Sequence, residues 1–467
     1  MTRSTSSGPR RIAIGLVALA CAATTVGGPA VDDREVDPIK DLRERARPLS
    51  GAESLGPLLE SIADRRCVLL GETSHGTEEW YAWRARITKR LVAEHDFRFV
   101  AFEGDWGAWR TVNRYVTHAD DAPAHGRAAL AAFSRWPGWM WNNQVTLELV
   151  EWLREHNASL PAEARVGVYG IDLYGLGDSL AKAPRHLAVL HAGAAAEAER
   201  AYACLAPFAD NPQRYVTAVA QTGQSCAAPM RAVVDALRAN RAEWRALNLE
   251  AYFHAKQNAL VALNAEAHYR AMIDRGSESW NIRARHFHET VARLLDRYGP
   301  DGRGIVWAHN THIGDARATA MGDRGMVNIG QLMRESHGDD AVALVGFATH
   351  GGTVVAGARW GATPQVMTMP SAAAGSLGNL LMRVGAEPFM LLMDEVRDVA
   401  ALRGRIGHRA VGVTYSPTND AGNYVQTLVP RRYDAVLFVP ETTALRMVAP
   451  SPESEPDAEP DSVDREH

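Results

Sequence analysis

The sequence predicts an α/β protein: a mostly parallel sheet covered on both faces by helices and interrupted by a large helical insertion. Three observations carry that reading. Short apolar runs recur at 67–70, 97–102, 166–171, 304–308, 341–347 and 435–439. They have strand length and are apolar at consecutive positions, as strands of a parallel sheet buried between helix layers must be. Long helical patterns separate them, which fits parallel crossovers rather than hairpins. Between Asp178 and Tyr298 the alternation stops, and Ala-rich helical patterns at 192–203, 232–246 and 255–273 follow one another without a strand candidate. A helical insertion between two strands, placed to lid the site, is the economical reading.

In chain order, Arg10 and Arg11 precede an apolar run over 12–26 and then Gly27, Gly28, Pro29 and Ala30. This is the layout of an export signal, and the paired arginines also suit a twin-arginine signal. The run falls short of the roughly 20 apolar residues of a membrane span, so residues 1–30 are expected to be cleaved, leaving no stable span. A secreted, periplasmic or cell-envelope location follows. Residues 31–50, charged and Pro-containing, read as a linker. A short helix is expected over 56–64. The first part of the core is assigned to 51–177, the insertion to 178–300 and the second part of the core to 301–448. Residues 449–467 alternate Ser, Pro, Glu and Asp and read as a disordered acidic tail.

The net charge is -5 and the basic residues are scattered rather than striped. That leaves no electrostatic footprint for nucleic acid, so the expected partner is a small molecule. Export permits disulfides. Cys21 departs with the signal, and Cys67 reads as a buried strand residue. Cys204 and Cys226 are expected to be bridged, two free core thiols being the alternative.

Ligands of parallel α/β sheets bind at the carboxyl ends of the strands. Here the first strand runs into Gly71-Glu72-Thr73-Ser74-His75-Gly76, the second ends at Glu103-Gly104-Asp105, the third at Asp172, and the fourth leads to Ala308-His309-Asn310-Thr311-His312. A histidine oriented by a carboxylate serves as a general base near neutral pH, and Glu72 or Glu103 can do this for His75. One such strand end would mean a capping histidine; four converging ends point to a site. Asp172 is equally a turn residue or a site residue. Arg84, on the helix that begins near Thr77, either reaches back to the loop or lies in solvent, and position alone favours solvent. Arg283, late in the insertion, is a candidate donor to a developing oxyanion. Trp106, Trp139 and Trp141 belong to an aromatic-rich N-terminal part, and the turn-rich segment Trp136-Pro137-Gly138-Trp139-Met140-Trp141 suits the wall of a cleft for a bulky ligand.

Two further patterns are weaker. Gly177-Asp178-Ser179-Leu180 lies beyond its strand and reads as a helix cap rather than a nucleophile, and no Gly-x-Ser-x-Gly elbow occurs. His309-x-x-His312 has zinc-like spacing but sits in a strand-end loop, and no further ligand follows at a familiar spacing. No metal or other cofactor is therefore expected.

At these same residues the chain resembles the erythromycin esterase family, with its macrolide esterases and succinoglycan-biosynthesis relatives. The resemblance rests on Gly71-Glu72-x-x-His75 followed by Arg84, the strand closing on Glu103, Gly170-x-Asp172, Asn281-x-Arg283 and Ala308-His309-Asn310-x-His312, over about 69–439. It implies a three-layer α/β/α core and metal-independent hydrolysis of a macrolide lactone ester, the chemistry of a macrolide-resistance enzyme. It also implies roles: His75 activates water, Glu72 and Glu103 orient it, and Arg84, Arg283, His309 and His312 hold or polarise the ester. His312, Asn310, Asp172, Trp139, Trp141 and Trp106 are the expected substrate contacts. The family often carries an acidic residue after the helix arginine, where this chain has Ala284.

The leading expectation is a carboxylic ester hydrolase that cleaves an ester or lactone with a His-activated water. The same groups would serve a non-hydrolytic rearrangement or cyclisation, and a fold of this kind also suits a ligand- or haem-binding protein.

Overall fold

The computed structural model describes residues 37–448, Arg275 excepted. The expected signal and acidic tail, with Cys21, lie outside the described residues. The large sheet is built from β1 (Arg47–Pro48), β2 (Cys67–Leu70), β3 (Phe97–Asp105), β4 (Gly167–Asp172), β5 (Arg303–Trp307), β6 (Val342–Ala356), β7 (Gln365–Met369), β8 (Phe389–Leu392) and β11 (Ala435–Thr442). A separate two-stranded ribbon joins β9 (Ile406–Arg409) to β10 (Tyr424–Thr427). The order in the large sheet is β1-β8-β11-β6-β2-β5-β3-β4, with β7 paired to β6. From β11 to β4 every neighbouring pair is parallel. The antiparallel pairs are β1 with β8, β8 with β11 and β7 with β6.

Side-chain alternation explains the layering. In β2, Val68 and Leu70 point into one apolar core while Cys67 and Leu69 point into another, and in β5 Ile305 and Trp307 are separated in the same way from Val306 and from Ala308 just past the strand. Both faces are thus buried, as the consecutive apolar positions require. One face is covered by the helices Glu78–His95 and Gln144–Ala158, the other by Glu278–Arg297, Ile329–His337 and Leu377–Val384. The fold is α/β with helix layers on both sides of a mostly parallel sheet.

Between β4 and β5 the described residues form helices only, from Leu176 to Arg297, around a third apolar cluster. Cys204 and Cys226 are joined there by a disulfide. Cys67 is buried and free. No helix among the described residues is long and apolar enough to cross a membrane.

The described part of the stretch read as a linker, from Asp37 on, departs from expectation. Pro38–Arg45 is a helix whose Ile39 and Leu42 enter the core, and Arg47 and Pro48 pair with Met390 and Phe389 of β8. Its charged residues had masked a helix with only two apolar contacts. Also unforeseen, β6 runs 15 residues, well past the apolar segment that announced it, to make a hairpin with β7.

Candidate active site

The carboxyl ends of β2, β3, β4 and β5 bring together the residues the sequence singled out. After β2 the chain turns through Gly71–Thr77 into the helix Glu78–His95. Gly76 sits at φ +69°, and a Cβ there would strike the Val355 carbonyl, so only glycine lets the loop carrying His75 pass this close to β6. β3 carries Glu103 within its own last residues, β4 ends on Asp172, and His309 caps the short helix Asn310–Ile313 after β5.

Glu72 is the hinge of the first half of the site. Its Oε1 lies 2.8 Å from His75 Nδ1 and its Oε2 accepts from Arg84 Nη2 at 2.7 Å. Arg84 is fully buried, not solvated as its position suggested, and its guanidinium lies 4.5 Å from the Tyr81 ring and 4.7 Å from the Trp307 ring. An isolated buried guanidinium would be costly. The ion pair and two aromatic faces make it tolerable and lock the carboxylate that orients His75.

Arg283 is the hinge of the second half. Its Nε and Nη2 donate to Asp172 at 3.0 and 2.6 Å, its Nη2 also to Glu103 Oε1 at 2.8 Å, and its Nη1 lies 3.0 Å from His312 Nε2. Glu103 Oε2 accepts the His309 backbone N–H at 2.8 Å, tying β3 to the end of β5. Asp172, ambiguous in the sequence, belongs to this network. His312 stacks on Trp280, the rings nearly parallel with centroids 4.4 Å apart.

The partners of His309 decide its tautomer. His309 Nδ1 accepts the Thr311 backbone N–H at 3.3 Å and lies 2.8 Å from its hydroxyl, which places the ring proton on Nε2. His312 Nε2 lies between Arg283 Nη1 at 3.0 Å and Glu103 Oε1 at 3.3 Å, a donor on one side and an acceptor on the other. Both His309 Nε2 and His312 Nδ1 are buried without a hydrogen-bond partner.

Burial opposes charge on His75, but the Glu72 carboxylate, its hydrogen bond and Glu103 outweigh that cost, and the imidazole pKa is raised. Burial, reinforced by the charge of His75, pushes His309 well below the ordinary histidine value. For Glu103 burial works upward, yet His312, Arg283 and His75 hold it well below the usual carboxylate range. Asp172 is likewise lowered, burial being outweighed by Arg283. The site therefore pairs two ionised carboxylates with histidines of divergent proton affinity, a division that suits acid–base work.

A cleft of about 280 Å³ opens onto this arrangement, lined among others by His75, Glu103, Asp172, Arg283, His309 and His312. Trp141 also lines it, its Nε1 donating to the Glu103 carbonyl at 3.2 Å. Three expected contacts lie elsewhere. Trp106 is buried against Tyr169 beneath the insertion, because the helix it begins turns it onto the apolar face of the sheet. Trp139 is packed into the core by Gly76 rather than lining the cleft. Asn310 exchanges hydrogen bonds with the Phe347 backbone and stitches the β5 end to β6. Glu72 and Arg84 stand behind His75, out of the cleft.

Sequence reasoning did not assign Arg135, Tyr174, Trp280 and Trp360 to the site, yet they too line the cleft. Arg135 makes a two-pronged ion pair with Asp105, and Trp136 packs on Trp360 at 4.5 Å while donating to the Ala362 carbonyl at 2.9 Å. The loop after β6 thus closes on the turn-rich tryptophan segment. Arg135 and Tyr174 adjoin residues already singled out and were within reach of the sequence. Trp360 comes from a hairpin that no pattern announced.

Fold and site together define an α/β protein with a histidine–carboxylate–arginine centre at its strand ends. The erythromycin esterase family model matches residues 92–442, and the chain belongs to that family. His75, Glu72 and Arg84 precede the matched segment. Family and fold support a hydrolase-like function acting on a small molecule. Three solved structures share the fold: a succinoglycan biosynthesis protein (20% identity, 90% of this chain and 100% of that one, TM-score 0.73); a Bacillus cereus protein (18%, 88% and 98%, 0.74); and a mutant of erythromycin esterase EreC in its open conformation (17%, 85% and 97%, 0.65). At these identities they speak for the fold alone.

Proposed function

We propose that the protein hydrolyses an ester or lactone in a natural product, macrolides being one candidate class, by a water activated at His75 without a metal. The observation that carries this is the Glu72–His75 pair. With Nδ1 held at 2.8 Å by Glu72, the ring presents Nε2 as its remaining nitrogen to the cleft. A water there loses its proton to Nε2 as its oxygen bonds to the ester carbonyl carbon, and Glu72 stabilises the imidazolium. The carbonyl oxygen gains the negative charge, stabilised by the unpartnered Nε2–H of His309, with His312 beside it in the cleft lining. Collapse breaks the carbon–oxygen ester bond, and the departing alkoxide takes the proton from His75 Nε2. Acid and alcohol result.

Arg283 and Arg84 serve this scheme by holding carboxylates and histidines in place. The carboxylates of Glu72, Glu103 and Asp172 are each committed to an arginine, which supports a reaction driven by histidine. At about 280 Å³ the cleft sits at the small end of ligand pockets, so it holds the ester while the bulk of a macrocycle would rest on the Trp136–Trp360 rim. The Cys204–Cys226 bridge supports an oxidising, exported setting. The test is mass spectrometry of macrolides and simple lactones incubated with purified protein, with and without chelator. Gain of one water that chelator leaves unchanged is expected; a gain abolished by chelator and restored by metal would overturn the metal-free scheme.

A further inference from the structure

A second cleft, of about 750 Å³, lies away from the strand ends that carry the site. It is bounded by Arg98 near the start of β3, Arg165 just before β4, Arg110 and Arg114 of the helix Trp106–Val116, and Arg297 at the end of Glu278–Arg297. The first turns of the insertion helix Leu249–Ala271 close it with Glu250 and His254.

The charges do not balance. Five arginines face three carboxylates, Asp121, Glu163 and Glu250. Asp121 is tied to Arg114 and Glu250 to Arg297, with His254 Nε2 3.5 Å from the latter carboxylate. Among the described residues Arg98 donates only to the Glu163 backbone carbonyl, at 2.5 Å, and Arg165 only to the carbonyls of Thr117 and Leu160, at 2.6 and 3.3 Å. Arg110 has neither hydrogen bond nor ion pair among the described residues. Moreover, Arg98 Nε and Arg110 Nε are buried without a partner. Buried donors of this kind normally have partners, and two of them at one cavity mark a place for an acceptor.

We propose that this cleft binds an organic phosphate, its dianion held at Arg110, with Arg98 and Arg165 on the same wall. Arginine suits the fork geometry of a phosphoryl group, and an excess of more than one positive charge suits a dianion over a single carboxylate. The cavity is many times larger than a phosphate needs. Val189 and Leu249, 58% and 50% exposed, supply apolar surface for the organic part.

The test is isothermal titration calorimetry of the full chain at low salt with glucose 6-phosphate, inorganic phosphate and glucose. Saturable binding of the monoester, tighter than inorganic phosphate and absent for glucose, is expected. Arg110→Gln should weaken it about tenfold or more while leaving the circular dichroism spectrum unchanged. Should Arg110→Gln fail to fold, Arg98→Gln must show the same loss. No saturable heat, or equal affinity in the folded variant, would overturn the site. Phosphate binding as tightly as the monoester would overturn the organic ligand.

Discussion

His75 and His309 lie against each other with ring centroids 4.9 Å apart and planes tilted by 49°, while their surroundings drive their proton affinities in opposite directions. Glu72 holds a proton on the first; burial and the charge of the first strip it from the second. Two imidazoles in contact cannot both be charged cheaply, and the proposed scheme uses that difference, His75 as base and His309 as neutral donor.

A pH–rate profile checks this division. His75 must be neutral to accept a proton, and its pKa is raised, so kcat/KM should climb with pH through an inflection above the ordinary value of about 6.5. Glu72→Gln removes the charge that raises it. The inflection should move to lower pH and the plateau fall about 10²–10⁴-fold; an unmoved inflection would detach Glu72 from His75.

Removing Arg84 leaves Glu72 as a buried, half-compensated charge. Arg84→Met should cost about 3–5 kcal/mol in urea unfolding, and adding Glu72→Gln to it should recover much of that loss. Additive losses in the double variant would mean the pair is not coupled.

Acid unfolding reports on Glu103 and Asp172. Both have lowered folded-state pKa values, so their stabilisation is present above the unfolded values of about 4.3 and 3.9. It is lost as pH falls through the folded ones. The thermal midpoint should hold above about pH 5 and drop steeply below it, less steeply in Glu103→Gln, as differential scanning calorimetry would record.

Trp106 and Trp141 separate core from cleft. Trp106→Ala should destabilise by about 3–5 kcal/mol and leave KM unchanged, because that ring is buried beneath the insertion. Trp141→Ala, at the cleft wall, should raise KM for whichever ester is turned over.

The chemistry was legible where it sat at strand ends. Glu72, His75, Glu103, Asp172 and His309 follow apolar runs directly, so hydrophobic period and chain position are enough to place them together. Arg84 was not legible. Its neighbours on the helix do not reveal that the loop folds back over it, and burial of an arginine depends on Tyr81 and Trp307, the latter from a strand over 200 positions away. Trp106 and Trp139 failed for the reverse reason: apolar side chains near a site face the core as readily as the cleft. The helix at Pro38–Arg45 escaped because two buried residues make too faint a period. β8, four residues long, hid among apolar segments of similar composition.

Hydrolysis by the wild-type protein and by His75→Ala, measured as kcat/KM on whichever macrolide or lactone is turned over, tests the central claim most directly. A loss of about 10²-fold or more in a variant that remains folded is the result this account predicts. Undiminished hydrolysis in His75→Ala, or a folded wild-type protein that opens no ester in the panel, would contradict it.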